Sequence, residues 1–401
     1  MNTTRNEHYT FKHNLALGRH GWLRLTPAYS VRLVEEIVGG LDYLPSCIME
    51  PFSGTGTTGL VCANRGIPSC ALEINPFLVW LGNAKLSYYP ADKISEFLEI
   101  ADSLMKNLEK FVSADLPPIH NIYRWWGPLQ ADFLAKLKSA IKTIEDSVVG
   151  QLLQVAFCRV IIEISNASFR HVSTSFRDDK DDFFSIQSAK DIFISACKMV
   201  AKGALDEPRI PVKIIEHDSR TIPKEYYNKY DTVITSPPYP NRISYIRELR
   251  PYMYWLDYLK TPSQASNLDW RAIGGTWGKA TSLLSTWQRK GILPQYVYEI
   301  AGKISNVDNK SANLMKNYVL KYFEDMYEHL LSIYTGLKCN GRVFYIVGNS
   351  NFYGITVPSE KIYADIMSEI GFVNVQYQIV RKRNCNKQLY EFVVSGRKTR
   401  R

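Results

Sequence analysis

The chain predicts a doubly wound α/β fold, with a mostly parallel sheet interrupted by a helical insertion and a second, aromatic-rich insertion. Three stretches carry that expectation. The first is a strand over 46–50 that runs into the loop Pro51-Phe52-Ser-Gly54-Thr-Gly56-Thr57-Thr58 and then a helix. The second, roughly 20 residues further on, is Cys70-Ala-Leu-Glu73-Ile-Asn75-Pro76, a strand ending in an acid. The third is the apolar run Asp231-Thr-Val-Ile-Thr235, which reads as a buried strand and ends in Ser236-Pro237-Pro238-Tyr239.

Up to residue 30 the chain is polar and irregular, closing on Gly18-Arg-His-Gly-Trp-Leu-Arg-Leu-Thr-Pro-Ala-Tyr29-Ser30. A helix is expected over about 28–39, with Pro27 at its start. Gly54 and Gly56 allow a tight turn and a close approach to a ligand. Thr57 and Thr58 fall where a helix N-terminus has free N–H groups. The loop lacks the third glycine of a dinucleotide fingerprint and the Gly-Lys-Ser/Thr end of a P-loop. A helix over about 57–65, a strand over 69–74 and a helix from Pro76 to about Ala84 complete a first unit, residues 1–90. Glu73 has the place of the ribose-binding acid of doubly wound folds; the plainer reading is a helix cap.

Residues 91–210 break the alternation. Apolar patterning predicts helices from Ile94 to Val112, Pro128 to Val148 and Gly150 to Asn166. A basic, hydroxyl-rich stretch follows. Its Arg170, His171, Ser173, Thr174 and Arg177 are residue types that contact phosphates and base edges, and equally the makings of a solvated loop. The alternation resumes in 211–249 with the strand Pro211–Glu216, then Asp218, then the strand over 231–235. Arg242 adds a basic candidate just beyond it.

Residues 250–317 form the second insertion. Tyr252, Tyr254, Trp255, Tyr258, Trp270, Trp277 and Trp287 are interleaved with the basic loop Gly274-Gly-Thr-Trp-Gly-Lys279. Such a mixture suits stacking on bases, and it also suits an ordinary core. This insertion is the candidate target-recognition region. The last unit, 318–401, should hold a helix from Tyr318 to Lys338, a strand over 341–348, a helix over about 358–370, and two strands, 373–380 and 391–395, forming an antiparallel pair. Arg381 and Arg383 in the loop between those strands are further candidates for phosphate contact.

The third stretch carries the chemistry. The residue before each proline is pushed out of the helical region, and neither proline has an N–H. The backbone beyond the strand is therefore stiff and extended, and the carbonyls of Ser236 and Pro237 are placed to accept from an amino group. Tyr239 offers a flat ring. Rigid acceptors beside an aromatic plate suit a planar base with an exocyclic amine. A proline turn with a packed tyrosine is the plainer reading.

Glu50-Pro-Phe-Ser-Gly-Thr-Gly-Thr-Thr58 resembles the first motif of S-adenosylmethionine-dependent DNA amino-methyltransferases, and Thr235-Ser-Pro-Pro-Tyr239 resembles their catalytic motif. Glu50 stands where the family has Asp. The segment 18–30 resembles the family motif that closes over the methionine end of the cofactor. The resemblance implies a Rossmann-like class I methyltransferase fold and S-adenosyl-L-methionine held by Tyr29, Glu50, Pro51, Phe52, Gly54, Gly56, Thr57, Thr58, Glu73, Asn75 and Asp218. It implies catalysis by Ser236, Pro237, Pro238 and Tyr239 on a base flipped out of duplex DNA; Lys279, in the basic loop of the second insertion, is a further candidate DNA contact. The Ser form of the motif points to the N4 amine of cytosine; adenine N6 and an RNA amine stay open. A restriction endonuclease acting on the same site is the implied partner. The motifs run cofactor first, opposite to many Ser-Pro-Pro-Tyr enzymes. Carbon-5 cytosine enzymes use a Pro-Cys nucleophile, and none of the seven cysteines follows a proline.

The charge balance supports a polyanionic partner. Lys and Arg number 49 against 39 Asp and Glu, a formal net charge of +10. No apolar run approaches the length of a membrane span, and the first residues do not read as a signal peptide. The seven cysteines are scattered without a Cys-x-x-Cys pair, which fits a reducing cytoplasm and argues against zinc.

Overall fold

The computed structural model describes residues 9–25, 28–168, 175–176, 184–241, 244–276, 278–383 and 388–399. Eleven strands lie among them. In chain order they are β1 (Ile48–Glu50), β2 (Ser69–Glu73), β3 (Ala167–Ser168), β4 (Ser175–Phe176), β5 (Lys213–Glu216), β6 (Thr232–Thr235), β7 (Arg342–Gly348), β8 (Ser350–Phe352), β9 (Ile355–Val357), β10 (Phe372–Lys382) and β11 (Tyr390–Lys398). Seven form one sheet in the order β10-β11-β7-β6-β1-β2-β5. The run β7-β6-β1-β2-β5 is parallel. β11 pairs antiparallel with both β7 and β10. Chain direction across the sheet reverses at β1, with β2 and β5 on one side and β6 on the other. In open α/β sheets such a switch point leaves a crevice at the carboxyl ends of the strands.

The central strands are short and buried on both faces, as parallel strands covered by helices must be. Ile48, Met49 and Val233 have no exposed surface, and Met49 pairs with Cys70 on one side and Val233 on the other.

The first helices are α1 (Phe11–Asn14), α2 (Val31–Gly39), α3 (Thr57–Arg65) and α4 (Pro76–Leu86). α4 has a strong start: Asn75 Oδ1 accepts from the Phe77 amide at 3.0 Å, and proline occupies the first turn.

The first insertion folds into α5 (Ala91–Asn107), α6 (Ile122–Trp125), α7 (Pro128–Lys142), α8 (Ser147–Glu163) and α9 (Ile186–Ala204). These helices share a core in which Phe97, Leu134, Leu152, Leu153, Ala156, Phe193 and Val200 have no exposed surface. Burying each such Leu, Val or Phe side chain stabilises by roughly 1.5–3 kcal/mol. The expected helix through Val148 instead ends at Lys142. Asp146 caps α8, accepting from Val148 and Val149 at 2.8 and 3.0 Å, so the chain restarts there. Arg19 pins this unit to the sheet domain. Its guanidinium donates to carbonyls of Lys85 and Ser87 and to Gly203 and Ala204.

The second insertion, expected to start at 250, starts earlier, because α10 (Tyr245–Trp255) runs unbroken across that point; α11 (Pro262–Arg271), α12 (Lys279–Thr286) and α13 (Gln295–Ser305) follow. α10 runs through Pro251, where a helix usually breaks. Its apolar side, Ile246, Leu249 and Met253, is buried in a cluster with Phe77, Leu78 and Leu81 of α4. α14 (Ala312–Gly336) and α15 (Ser359–Ile370) cover the remaining sheet. β8 and β9 make a hairpin whose turn residues Tyr353 and Gly354 both have positive φ, 54° and 88°. The whole is a class I methyltransferase-like fold with insertions. No described helix is long and apolar enough to cross a membrane.

Candidate active site

A cavity of about 360 Å³ opens at the switch point, within the general size range of small-molecule sites. Its wall includes the loop after β1, the ends of β2 and β5, the loop after β6, and the first turn of α10. Both motifs singled out in the sequence reach it, because β1 and β6 are neighbouring parallel strands.

The glycine loop contributes Pro51, Phe52, Ser53, Gly54 and Thr55 to the wall. Gly54 has φ 53°, and a Cβ there would meet nothing within 4 Å. Gly56 has φ 77°, but its α-carbon faces Gly82 of α4, with 3.4 Å left for a Cβ. It serves helix packing rather than the cavity surface. Glu50, Thr57 and Thr58 likewise stand outside the wall, each almost fully buried. Glu50 takes the hydroxyl of Tyr29 and the amides of Thr58 at 3.3 Å and Gly59 at 3.1 Å. Burial pushes its carboxyl up to about 7, and those hydrogen bonds hold it from going higher. Its longer arm than Asp is thus used inside the fold, at the start of α3. Tyr29, which does line the cavity, also hydrogen-bonds Thr58. Lys85 lies beneath the loop, donating to the Thr55 carbonyl at 3.1 Å, and burial lowers its ammonium to about 7.

Glu73, at the end of β2, is 9% exposed and accepts from the Gly54 amide at 2.7 Å and the Asn75 amide at 2.9 Å. Burial raises its carboxyl while those amides oppose the rise. Each oxygen keeps further acceptor capacity toward the cavity. Asn75 lines the wall, but its side chain caps α4 and donates to Met253 Sδ at 3.6 Å. Asp218 lines the wall and pairs with Arg220 at 2.6 Å. Burial pushes its carboxyl up, but the hydrogen bonds and charge of Arg220 prevail and hold it below the usual range.

The loop after β6 is braced on several sides. Ser236 Oγ donates to the Ile346 carbonyl of β7 at 3.2 Å. The Pro238 carbonyl accepts from Tyr322 of α14 at 2.7 Å, and the Tyr239 amide reaches the Tyr245 hydroxyl at 3.3 Å. Among the described residues no hydrogen bond engages the Pro237 carbonyl. The Tyr239 hydroxyl donates to Glu391 of β11 at 2.7 Å. Glu391 in turn accepts from Arg381 at 2.8 and 3.2 Å. Arg383 lies over the Tyr239 ring, 4.9 Å from its centroid, and donates to the Asn349 carbonyl at 2.8 Å. Arg381 and Arg383, expected on an open loop, therefore stand in the cavity wall beside the loop after β6. Lys279 is not among the lining residues; it stands at the start of α12, where its ammonium donates to Asn267 at 3.1 Å. Arg170, His171, Ser173, Thr174, Arg177 and Arg242 lie outside the described residues.

Several wall residues escaped the sequence reading. Glu391 was visible only as the first residue of a strand. Tyr245 and Glu248 sit three apart in the first turn of α10, and that spacing was their one available signal. No group of three or more metal-ligating side chains occurs among the described residues.

The wall suits S-adenosyl-L-methionine. Acids end β2 and follow β5, Phe52 and Ile74 give apolar surface, and the space above Gly54 admits close contact. No protein-family model matches the chain, and no solved structure matches significantly. Curated relatives do. The type II methyltransferase M.AvaI of Nostoc sp. is 21% identical, with 98% of this chain and 86% of the relative covered. M.BsoBI of Geobacillus stearothermophilus is also 21% identical, over 92% and 81% of the two chains. M.MvaI of Kocuria varians is 19% identical, over 84% and 77%. This likeness along most of the chain relates the protein to the type II methyltransferases.

Proposed function

We propose that the protein transfers a methyl group from S-adenosyl-L-methionine to the exocyclic N4 amine of a cytosine flipped out of duplex DNA. The observation that carries this reading is the meeting of the Gly54 loop and the Ser236–Tyr239 loop in one cavity at neighbouring strand ends. On this reading Glu73 holds the ribose hydroxyls, Asp218 the adenine amine, and Tyr29 and the loop 51–55 the remainder of the cofactor. Bound there, the cofactor would supply an electrophilic methyl group. The Pro237 carbonyl accepts a hydrogen from the target amine and turns its nitrogen lone pair out of the ring, while Tyr239 stacks on the base. Alignment then lowers the barrier. The base must leave the duplex because its amine is otherwise paired. Ser236 in place of a carboxylate favours cytosine. Such methylation would protect DNA against an endonuclease of the same specificity.

The test uses labelled cofactor, duplex DNA and RNA, with nucleosides from the products identified by mass spectrometry. N4-methylcytosine in DNA is the expected product. N6-methyladenine would overturn the base assignment, methylated RNA the polymer, and no transfer the reading as a whole.

A further inference from the structure

Four carboxyl groups line the cavity: Glu73, Asp218, Glu248 and Glu391. Three are committed. Glu73 holds two backbone amides, Asp218 holds Arg220, and Glu391 holds Tyr239 and Arg381. Among the described residues Glu248 has no side-chain hydrogen bond or ion pair. It stands one turn along α10 from Tyr245, on the same side of the helix, and the Tyr245 hydroxyl touches the catalytic loop at the Tyr239 amide. The loop itself lacks a carboxylate. Ser236 stands there, and its hydroxyl proton is directed at Ile346.

We propose that Glu248 is a catalytic base for the methyl transfer, accepting a proton from the target amine. This rests on the function proposed above. The amine nitrogen forms its bond to the methyl carbon as the carbon–sulfur bond breaks, with the bonding pair leaving on sulfur. The nitrogen then carries the positive charge and an excess proton. Glu248 takes that proton and later yields it to water. A carboxylate at this place also favours positive charge as it builds on the nitrogen.

The surroundings allow such a role. Burial pushes the Glu248 carboxyl up to about 7, close to the working range of an efficient base. The cavity wall presents Lys12 of α1, His217 just after β5, Arg271 at the end of α11, Arg381 of β10 and Arg383 just beyond it, with Tyr9, Tyr29 and Tyr239, beside the three committed acids. On its own helix Glu248 is flanked by Arg247, Arg250, Tyr245 and Tyr252. From α8, Arg159 and Glu163 act on Tyr252, and they pair with one another at 3.0 Å.

The experiment compares wild type with Glu248→Gln and Glu248→Asp in single-turnover methyl transfer across pH 5.5–9 (the range chosen to bracket about 7). Calorimetric affinity for the cofactor and for target duplex is measured in parallel. Wild type should show a rate that rises through about pH 7 and then levels. Glu248→Gln should lose roughly 10²–10⁴-fold in rate, lose the acid limb, and keep both affinities within about threefold. Glu248→Asp should retain the limb at a lower plateau. A Gln variant that keeps its rate or its acid limb, or that loses cofactor affinity in step with rate, overturns the proposal. A wild-type enzyme with no transfer to any base overturns the function beneath it instead.

Discussion

Replacing Tyr239 by Phe separates the ring from its hydroxyl. In the structure that hydroxyl donates to Glu391 at 2.7 Å, and Glu391, 4% exposed, also accepts two hydrogen bonds from Arg381. A hydrogen bond to a charged group contributes about 1.5–3 kcal/mol net. The Phe variant leaves Glu391 with both Arg381 donors, so no buried charge is orphaned and the loss should sit near 1.5 kcal/mol. Glu391→Ala is different in kind. It strips Arg381 of its partner and leaves the Tyr239 hydroxyl unmet, which should destabilise by about 3–5 kcal/mol. Catalysis should follow ring placement. Loosening the ring by about 1.4 kcal/mol in the transition state lowers the rate about tenfold. Tyr239→Ala also removes the stacking surface, about 1–3 kcal/mol per base.

Urea unfolding followed by circular dichroism gives the stability order, and single-turnover methyl transfer gives the rates. Calorimetry with the cofactor is the control and should not move, since the hydroxyl points at β11. Equal destabilisation by Tyr239→Phe and Glu391→Ala would refute the reasoning. So would a fall in cofactor affinity matching the fall in rate.

Glu50→Gln should change how stability depends on pH. Burial holds the Glu50 carboxyl at about 7 when folded, against its ordinary 4.5, so between those values the folded state binds more protons than the unfolded. Stability must then fall as pH rises from about 4.5 to about 7, and the Gln variant should show a shallower fall in a pH series of urea titrations; an unchanged slope removes the argument. Gly56→Arg should unfold the protein, because φ is 77° and the new side chain would be driven at Gly82. Gly54→Ala, by contrast, should stay folded with a strain of roughly 1–2 kcal/mol and bind cofactor less tightly; thermal melts and calorimetry giving the reverse pairing would contradict the loop geometry. Affinity for duplex DNA should drop steeply with salt, given the net charge of +10; a flat response in a fluorescence titration would mean that the basic surface does not contact phosphate.

The sheet was largely legible because its signals are local. Strand runs at 46–50, 231–235 and 341–348 each end in a turn marker, and the two motifs fall at strand ends. Helix limits were less legible where a cap decides them: Asp146 divides α7 from α8 inside a stretch of continuous helical patterning. α9 was not separately recognised, because its buried stripe is made largely of small residues, Ala189, Ala196, Ala201 and Ala204, beside Phe193. In the site, sequence reading found residues that line the cavity, Gly54, Glu73 and Ser236 among them, but not those that brace them. Glu391 is 152 positions from Tyr239, and nothing local announces the contact. Glu50 and Gly56 show the opposite error of emphasis. The buried half of their motif builds the entry to α3, and only its other half meets the cavity.

Motif order and target recognition resolve through the same geometry. Because β1 and β6 are adjacent and parallel, their following loops meet whichever comes first in the chain, so the order of the motifs has no bearing on the chemistry. It does decide where insertions fit. The first insertion, α5 to α9, leaves after α4 and contributes none of the described residues of the cavity wall. The second begins just beyond the loop after β6, and Tyr245, Ile246, Glu248 and Leu249 of α10, with Arg271, Ala272 and Ile273 at the end of α11, all line the cavity. A base entering that cavity would pass these residues before any described residue of the first insertion. The second insertion is therefore the better candidate for reading the target. Exchanging α11 and α12 with those of a relative should shift which sequences are methylated while leaving cofactor affinity intact. If specificity instead follows an exchanged α5–α9 unit, the assignment reverses.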